Sequence, residues 1–89
     1  MGPTAFVHRA TGVNVSGNST YLEHPMLDRQ PSAWLLATPV WNPGGAGGVY
    51  NNHAIGAWYD SGRERWAIFN QDGAAMTVGA AFNIRTAAT

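Results

Sequence analysis

Every apolar run in this chain is fenced within a few residues by glycine, proline, asparagine or aspartate, and that punctuation leaves room for strands but not for helices. The best helical candidate, "DGAAMTVGAAF", contains Gly73 and Gly79 and has no Lys, Arg or Glu on a polar face, so it fails as an amphipathic helix. Short strands remain. Ala5 to Arg9 is the first, ending near Gly12, and a second segment with Thr20, Tyr21 and Leu22 is stopped by Pro25. "SAWLLATPVW", Ser32 to Trp41, is apolar on both faces and reads as a buried central strand. Pro39 removes a ladder donor, so the strand's end belongs at an edge or a bulge.

Ile55 to Asp60 and Arg65 to Asn70, joined by "SGRE", read as a hairpin. A regular register sets Asp60 opposite Arg65 and Tyr59 opposite Trp66, each pair contributing about 0.2–1 kcal/mol. One hairpin face then carries Ile55, Ala57 and Tyr59 with Trp66 and Ile68, and the other carries Trp58 with Ala67 and Phe69. Neither reads as a solvated face, so both need cover from a second sheet, a partner chain or a ligand. A last strand, Thr77 to Ile84, alternates with Val78, Ala80, Phe82 and Ile84 on one side, and residues 85–89 read as a polar tail. The whole is an all-β, single module over residues 1–89, a small β-sandwich or barrel of about six short antiparallel strands.

At 89 residues the core is thin, burying about 60–65% of the surface the unfolded chain exposes. Charged residues make up 11% of the chain, five arginines against five acids with no lysine, where about 25% is usual. No basic stripe exists, so nucleic acid is not an expected partner. No stretch is apolar for long enough to insert in a membrane, and "MGPTAFVHRA" lacks the basic start and apolar run of a signal peptide, so a secreted form would be the mature or excised one. Without cysteine there is neither a disulfide staple nor a thiolate metal site. Gly, Asn, Thr and Ser fill the place of the missing charge, and a neutral hydrogen-bonding surface suits sugars or self-contact.

The string "NSTYLEHP…WNPGG…YNNHAIGAWYD…RWAIFNQD…MTVGAAFNI" resembles a bacterial domain of unknown function, roughly eighty residues long, that occurs singly or in tandem in predicted extracellular proteins. The resemblance runs from Phe6 to Ile84 and implies an extracellular β-rich module with no established activity. Two positions depart from that family's pattern: Ala54 stands in "HAIG" and Thr77 in "MTVG" where the family usually has proline, so the stiffening a proline gives is missing from both. A shorter likeness covers Trp41 to Gly45, similar to a W-x-P-G-G turn in a cyanobacterial agglutinin family that binds high-mannose glycans. There the tryptophan and nearby amides line the sugar site. Composition alone makes the same five residues a type II turn with a tryptophan at its base.

Residues 41–60 hold the candidate ligand-binding set: Trp41, Asn42, Tyr50, Asn51, Asn52, His53 and Trp58. Asparagine amides can meet sugar hydroxyls while Tyr50 or Trp58 stacks on a pyranose ring, although Asx turns explain the same asparagines. "FNQDG", 69–73, offers oxygens, but calcium takes about six to eight of them and the EF-hand spacing is absent. His8, His24 and His53 lack zinc-site spacing, no nucleophile motif occurs, and the five acids fall mostly in turns rather than in a paired cleft. Asn14 and Asn18 open glycosylation-acceptor patterns that here read as turn signals. The expectation is therefore a non-catalytic extracellular binding or adhesion module for a neutral glycan, with no cofactor and no metal. A structural self-association module is the alternative, and a homo-oligomer is expected, since a thin core and an aromatic hairpin both gain from a partner. If Trp41 is scaffold, Trp41→Ala should cost about 3–5 kcal/mol; if it lines a site, stability should hardly change.

Overall fold

The computed structural model describes residues 3–87, which form seven antiparallel strands and, among the described residues, no helix. They are β1 (Pro3–Arg9), β2 (Val15–Ser16), β3 (Ser19–Tyr21), β4 (Leu35–Pro39), β5 (Ile55–Asp60), β6 (Arg65–Asn70) and β7 (Ala81–Ala87). Two sheets stack as a sandwich, a three-stranded one ordered β1-β7-β4 and a four-stranded one ordered β2-β3-β6-β5. The all-β expectation holds, with one strand more than about six because the short β2 pairs beside β3.

The core follows from alternation along the strands. Phe82, Ile84 and Thr86 of β7 face inward while Asn83 and Arg85 face out. Across the layer, Ile68 of β6 meets them, and Leu22, Leu27 and Ala33 from the β3–β4 connection close one end. Buried polar groups are paired, as their desolvation requires: Thr86 Oγ1 donates to the Trp34 carbonyl at 2.6 Å, and Thr20 Oγ1 donates to Asn14 Oδ1 at 2.8 Å.

The hairpin register is the one the sequence predicts, with Asp60 opposite Arg65, Tyr59 opposite Trp66 and Trp58 opposite Ala67. Tyr59 and Trp66 meet edge to face, 5.5 Å between ring centroids. On the inner face Ile68 is in the core with Ile55 and Trp66 packed against it, Trp66 also meeting the Gln30 carbonyl of the β3–β4 connection, while Ala57 stays exposed. On the outer face, Trp58 Nε1 donates to Ser19 Oγ at 3.1 Å, and the Trp58 ring approaches Tyr21, so the sheet's own side chains cover Ala67, which is fully buried.

Two strands differ from expectation. "SAWLLATPVW" is not a central strand: only Leu35–Pro39 pairs, at the edge beside β7, with Leu35 and Ala37 partly buried and Leu36 62% exposed. Apolar content on both faces identified a strand but did not reveal whether anything covers its outer face. Pro39 does lie at an edge. The final strand is shifted: residues 77–80 form a turn, Val78 points to solvent, and of the residues expected in a polar tail Arg85 and Thr86 pair with both β1 and β4 and Ala87 pairs with β1. Residues 88 and 89 of that tail lie outside the described residues.

Candidate functional site

The loop between β4 and β5 begins with the turn Asn42-Pro43-Gly44-Gly45, closed by Gly45 N–H donating to the Asn42 carbonyl at 2.9 Å. Pro43 sets the second position, and Gly44 takes the third with φ 83°, the left-handed value a type II turn needs there. The turn reverses the chain so that Gly48 returns onto Trp41. A Cβ on Gly48 would lie 2.6 Å from the Trp41 carbonyl carbon and 2.7 Å from its indole Cδ2, so only glycine permits this approach.

That return places Tyr50 beside Trp41, ring centroids 5.5 Å apart and planes tilted by 39°. The two rings, with Val49, Asn51, Asn52 and the Phe82 side of the core, line a cleft of about 270 Å³. Trp41 is 45% exposed and Tyr50 67%. Among the described residues of the lining Tyr50 is the only titratable group, so the cleft offers apolar rings and neutral amides.

Asn51 and Asn52 have different roles. The Asn51 amide is consumed inside the protein, donating to Asn70 Oδ1 at 2.7 Å and accepting from Thr77 Oγ1 at 3.2 Å. Asn70, completely buried, donates in return to Asn51 Oδ1 and to the carbonyls of Ala74 and Ala75. Asn51 thus fixes the loop, and the exposed Asn52 is the amide left facing solvent at the rim.

The structure brings Trp41, Tyr50, Asn51 and Asn52 of the expected set together, and places Asn42, His53 and Trp58 elsewhere. The Asn42 carbonyl closes its turn, and its exposed side chain lies outside the cleft lining. His53 Nδ1 meets Asp72 Oδ2 at 2.6 Å, tying the loop to the β6–β7 turn. The Asp72 carboxyl is held below its usual range, first by the Ala74 N–H and then by His53. Trp58 faces out from the other sheet, because one residue's shift along β5 decides the face. Among the described residues, no group of three or more His, Asp or Glu side chains could hold a metal ion.

A second cleft, of about 460 Å³, escaped the sequence reading. It opens just before β2 begins, between the Thr11–Asn14 loop and the hairpin end with Arg63 and Arg65, and His8 and Glu23 also line it. Since Thr20 donates its one proton to Asn14, its oxygen accepts from His8 Nε2 at 2.8 Å. Burial pushes the His8 imidazole down to about 4, so it is neutral at physiological pH. Arg63 lies over the Tyr21 ring, 4.2 Å from Cζ to centroid, and the Tyr21 hydroxyl donates to Asp60 at 2.8 Å. The walls of this cleft fall on segments distant in sequence, with no shared motif to connect them.

No curated protein and no solved structure is similar enough to the chain to match it. The family model that does match covers residues 1–86, so the chain, a small all-β domain with an aromatic, uncharged cleft, belongs to the family described as domain of unknown function (DUF7452).

Proposed function

We propose that this domain is a non-catalytic binding module of an extracellular bacterial protein, and that its ligand is a neutral carbohydrate held in the Trp41–Tyr50 cleft. One observation carries the reading: two half-exposed aromatic rings, tilted toward each other 5.5 Å apart, border a cleft whose lining has no charged side chain. Sugar rings present apolar C–H faces to aromatics and hydroxyls to amides, and here Asn52 supplies the amide while the Asn51–Asn70 pair holds the loop in place. The rings exist before ligand arrives, so little ordering cost is left for binding. The low charge of the chain supports an uncharged ligand.

The test is a neutral-glycan array followed by calorimetry on the best binder. Binding should fall at least tenfold in Trp41→Ala and severalfold in Asn52→Ala, with both variants folded. An array with no neutral-glycan binder would overturn the proposal.

A further inference from the structure

The outer face of the three-stranded sheet is unusual for a two-layer sandwich. Such a face ordinarily alternates to polar side chains. Here Leu36 is 62% exposed and Val7 52%, and Trp34 just before β4 is also exposed. The register aligns Ala5, Arg85 and Leu36 in one row across the sheet, and Val7, Asn83 and Thr38 in the next. Arg85 therefore sits in the middle of an apolar surface, with Arg9 further along β1 and no carboxylate on any of the three strands.

The acids are all elsewhere. Glu23, Asp28, Asp60, Glu64 and Asp72 lie on the four-stranded sheet or on the connections leaving it, and Asp28 is tied to that sheet by Arg65 Nε at 3.6 Å. That side carries five acids against Arg29, Arg63 and Arg65, while the other carries Arg9 and Arg85 with none. The zero net charge of the chain thus divides into an excess of two arginines on the three-stranded sheet and an excess of two acids on the other sheet and its connections, where Glu23 shares a cleft with Arg63 and Arg65.

We infer that the outer face of the three-stranded sheet docks a second copy of this chain, and that it does so head to tail, against the acid-bearing side of that copy around Glu23 and Glu64. Charge decides the geometry. A two-fold pairing of like faces would bury Arg85 and Arg9 of both copies between two faces that carry no carboxylate, leaving the arginines unpaired, which is strongly unfavourable. Stacking unlike faces sets Arg85 against carboxylates and covers Leu36 and Val7. The broad side of the molecule, within extents of 34 × 28 × 22 Å, has room for the roughly 800 Å² per partner that a stable contact buries. Because each copy keeps one face of each kind free, the contact is heterologous, and unless the rotation between copies closes a ring, association continues with concentration rather than stopping at a dimer.

The test is sedimentation velocity between 10 and 500 µM at low salt, with circular dichroism to check folding. Average mass should rise continuously with concentration and fall toward the monomer in 0.5 M NaCl, where the screening length is only a few ångströms. Arg85→Glu alone and Glu23→Arg/Glu64→Arg alone should each stay monomeric, and an equimolar mixture of the two should regain mass. Leu36→Ser, at an exposed position on the same face, should weaken association at least fivefold without touching a charge. A wild-type protein monomeric at 500 µM would overturn the inference. So would a Glu23→Arg/Glu64→Arg variant that associates as the wild type does, since that result marks a contact between like faces.

Discussion

Asn51 and Asn70 grip each other through a reciprocal pair of side-chain amide hydrogen bonds, 2.7 Å from Asn51 Nδ2 to Asn70 Oδ1 and 3.2 Å in return. Asn70 is fully buried and also holds the Ala74 and Ala75 carbonyls, so one side chain joins the β4–β5 loop to the β6–β7 turn. Replacing it leaves several buried polar groups without partners. Asn70→Ala should cost about 2–4 kcal/mol in denaturant unfolding, Asn51→Ala about 1–2, and the double variant measurably less than their sum. Strict additivity would show that the two side chains are not coupled.

The two outward tryptophans should separate by stability. Trp58 is 39% exposed, yet it bonds Ser19 and covers part of its sheet, so Trp58→Ala should cost about 2–3 kcal/mol. Trp41 stands at a cleft rim but is partly buried against Gly48 and Tyr50, so Trp41→Ala should cost about 1–2 kcal/mol rather than the near-zero change expected of a fully exposed ring. Trp41→Ala losing 3–5 kcal/mol would return it to a scaffold role. Urea titrations of both variants decide this.

Gly48 is a narrow steric requirement within a permissive-looking glycine run. Gly48→Ala should displace the loop, lower stability by about 1–3 kcal/mol and weaken any ligand bound between Trp41 and Tyr50. Gly47→Ala, where an added Cβ meets nothing within 4 Å, is the matched control and should change neither.

His8 should make the protein acid-sensitive before its carboxylates do. Its folded value of about 4 lies below the unfolded 6.5, so the unfolded chain binds the extra proton between those values. Stability from His8 is fully present above pH 6.5 and is lost as pH falls toward 4, on the order of 2 kcal/mol once solvent access is allowed for. Asp60, lowered chiefly by the Tyr21 hydroxyl, and Asp72, lowered chiefly by the Ala74 N–H, contribute stability that is present above 3.8 and lost only below it. A scan of Tm from pH 7 to 3 should therefore show two declines, and His8→Asn should remove the upper one alone.

The parts legible in the sequence were those set by neighbours along the chain. The β5–β6 hairpin was readable because Asp60 and Arg65 flank a short turn and the aromatics alternate around it. The Asn42–Gly45 turn was readable because proline and glycine fix its dihedral angles. Strand position was not. "SAWLLATPVW" reads as buried because leucine and tryptophan normally are, and only the sheet order shows that β4 is an edge with Leu36 uncovered. Arg85 and Thr86 looked like a tail, yet Thr86 is buried and bonded to the Trp34 carbonyl, a partner far along the chain. At the cleft, Trp41, Tyr50 and Asn52 share one loop, whereas the use of Asn51 by Asn70 depends on a distant residue with no local mark.

Indole N–H resonances offer the most direct test of the central claim, because the four tryptophans report on four different places in the fold. Trp41 lines the cleft, Trp58 bonds Ser19 on the opposite sheet, Trp66 Nε1 donates to the Gln30 carbonyl at 2.9 Å, and Trp34 lies on the outer face beside β4. In a ¹⁵N-edited titration with the best neutral glycan from the array, at protein concentrations low enough to hold the monomer, the Trp41 signal should move progressively to saturation. Those of Trp34, Trp58 and Trp66 should stay in place. A Trp41 signal that remains fixed at saturating glycan, whether or not another indole moves, would contradict a carbohydrate site in this cleft.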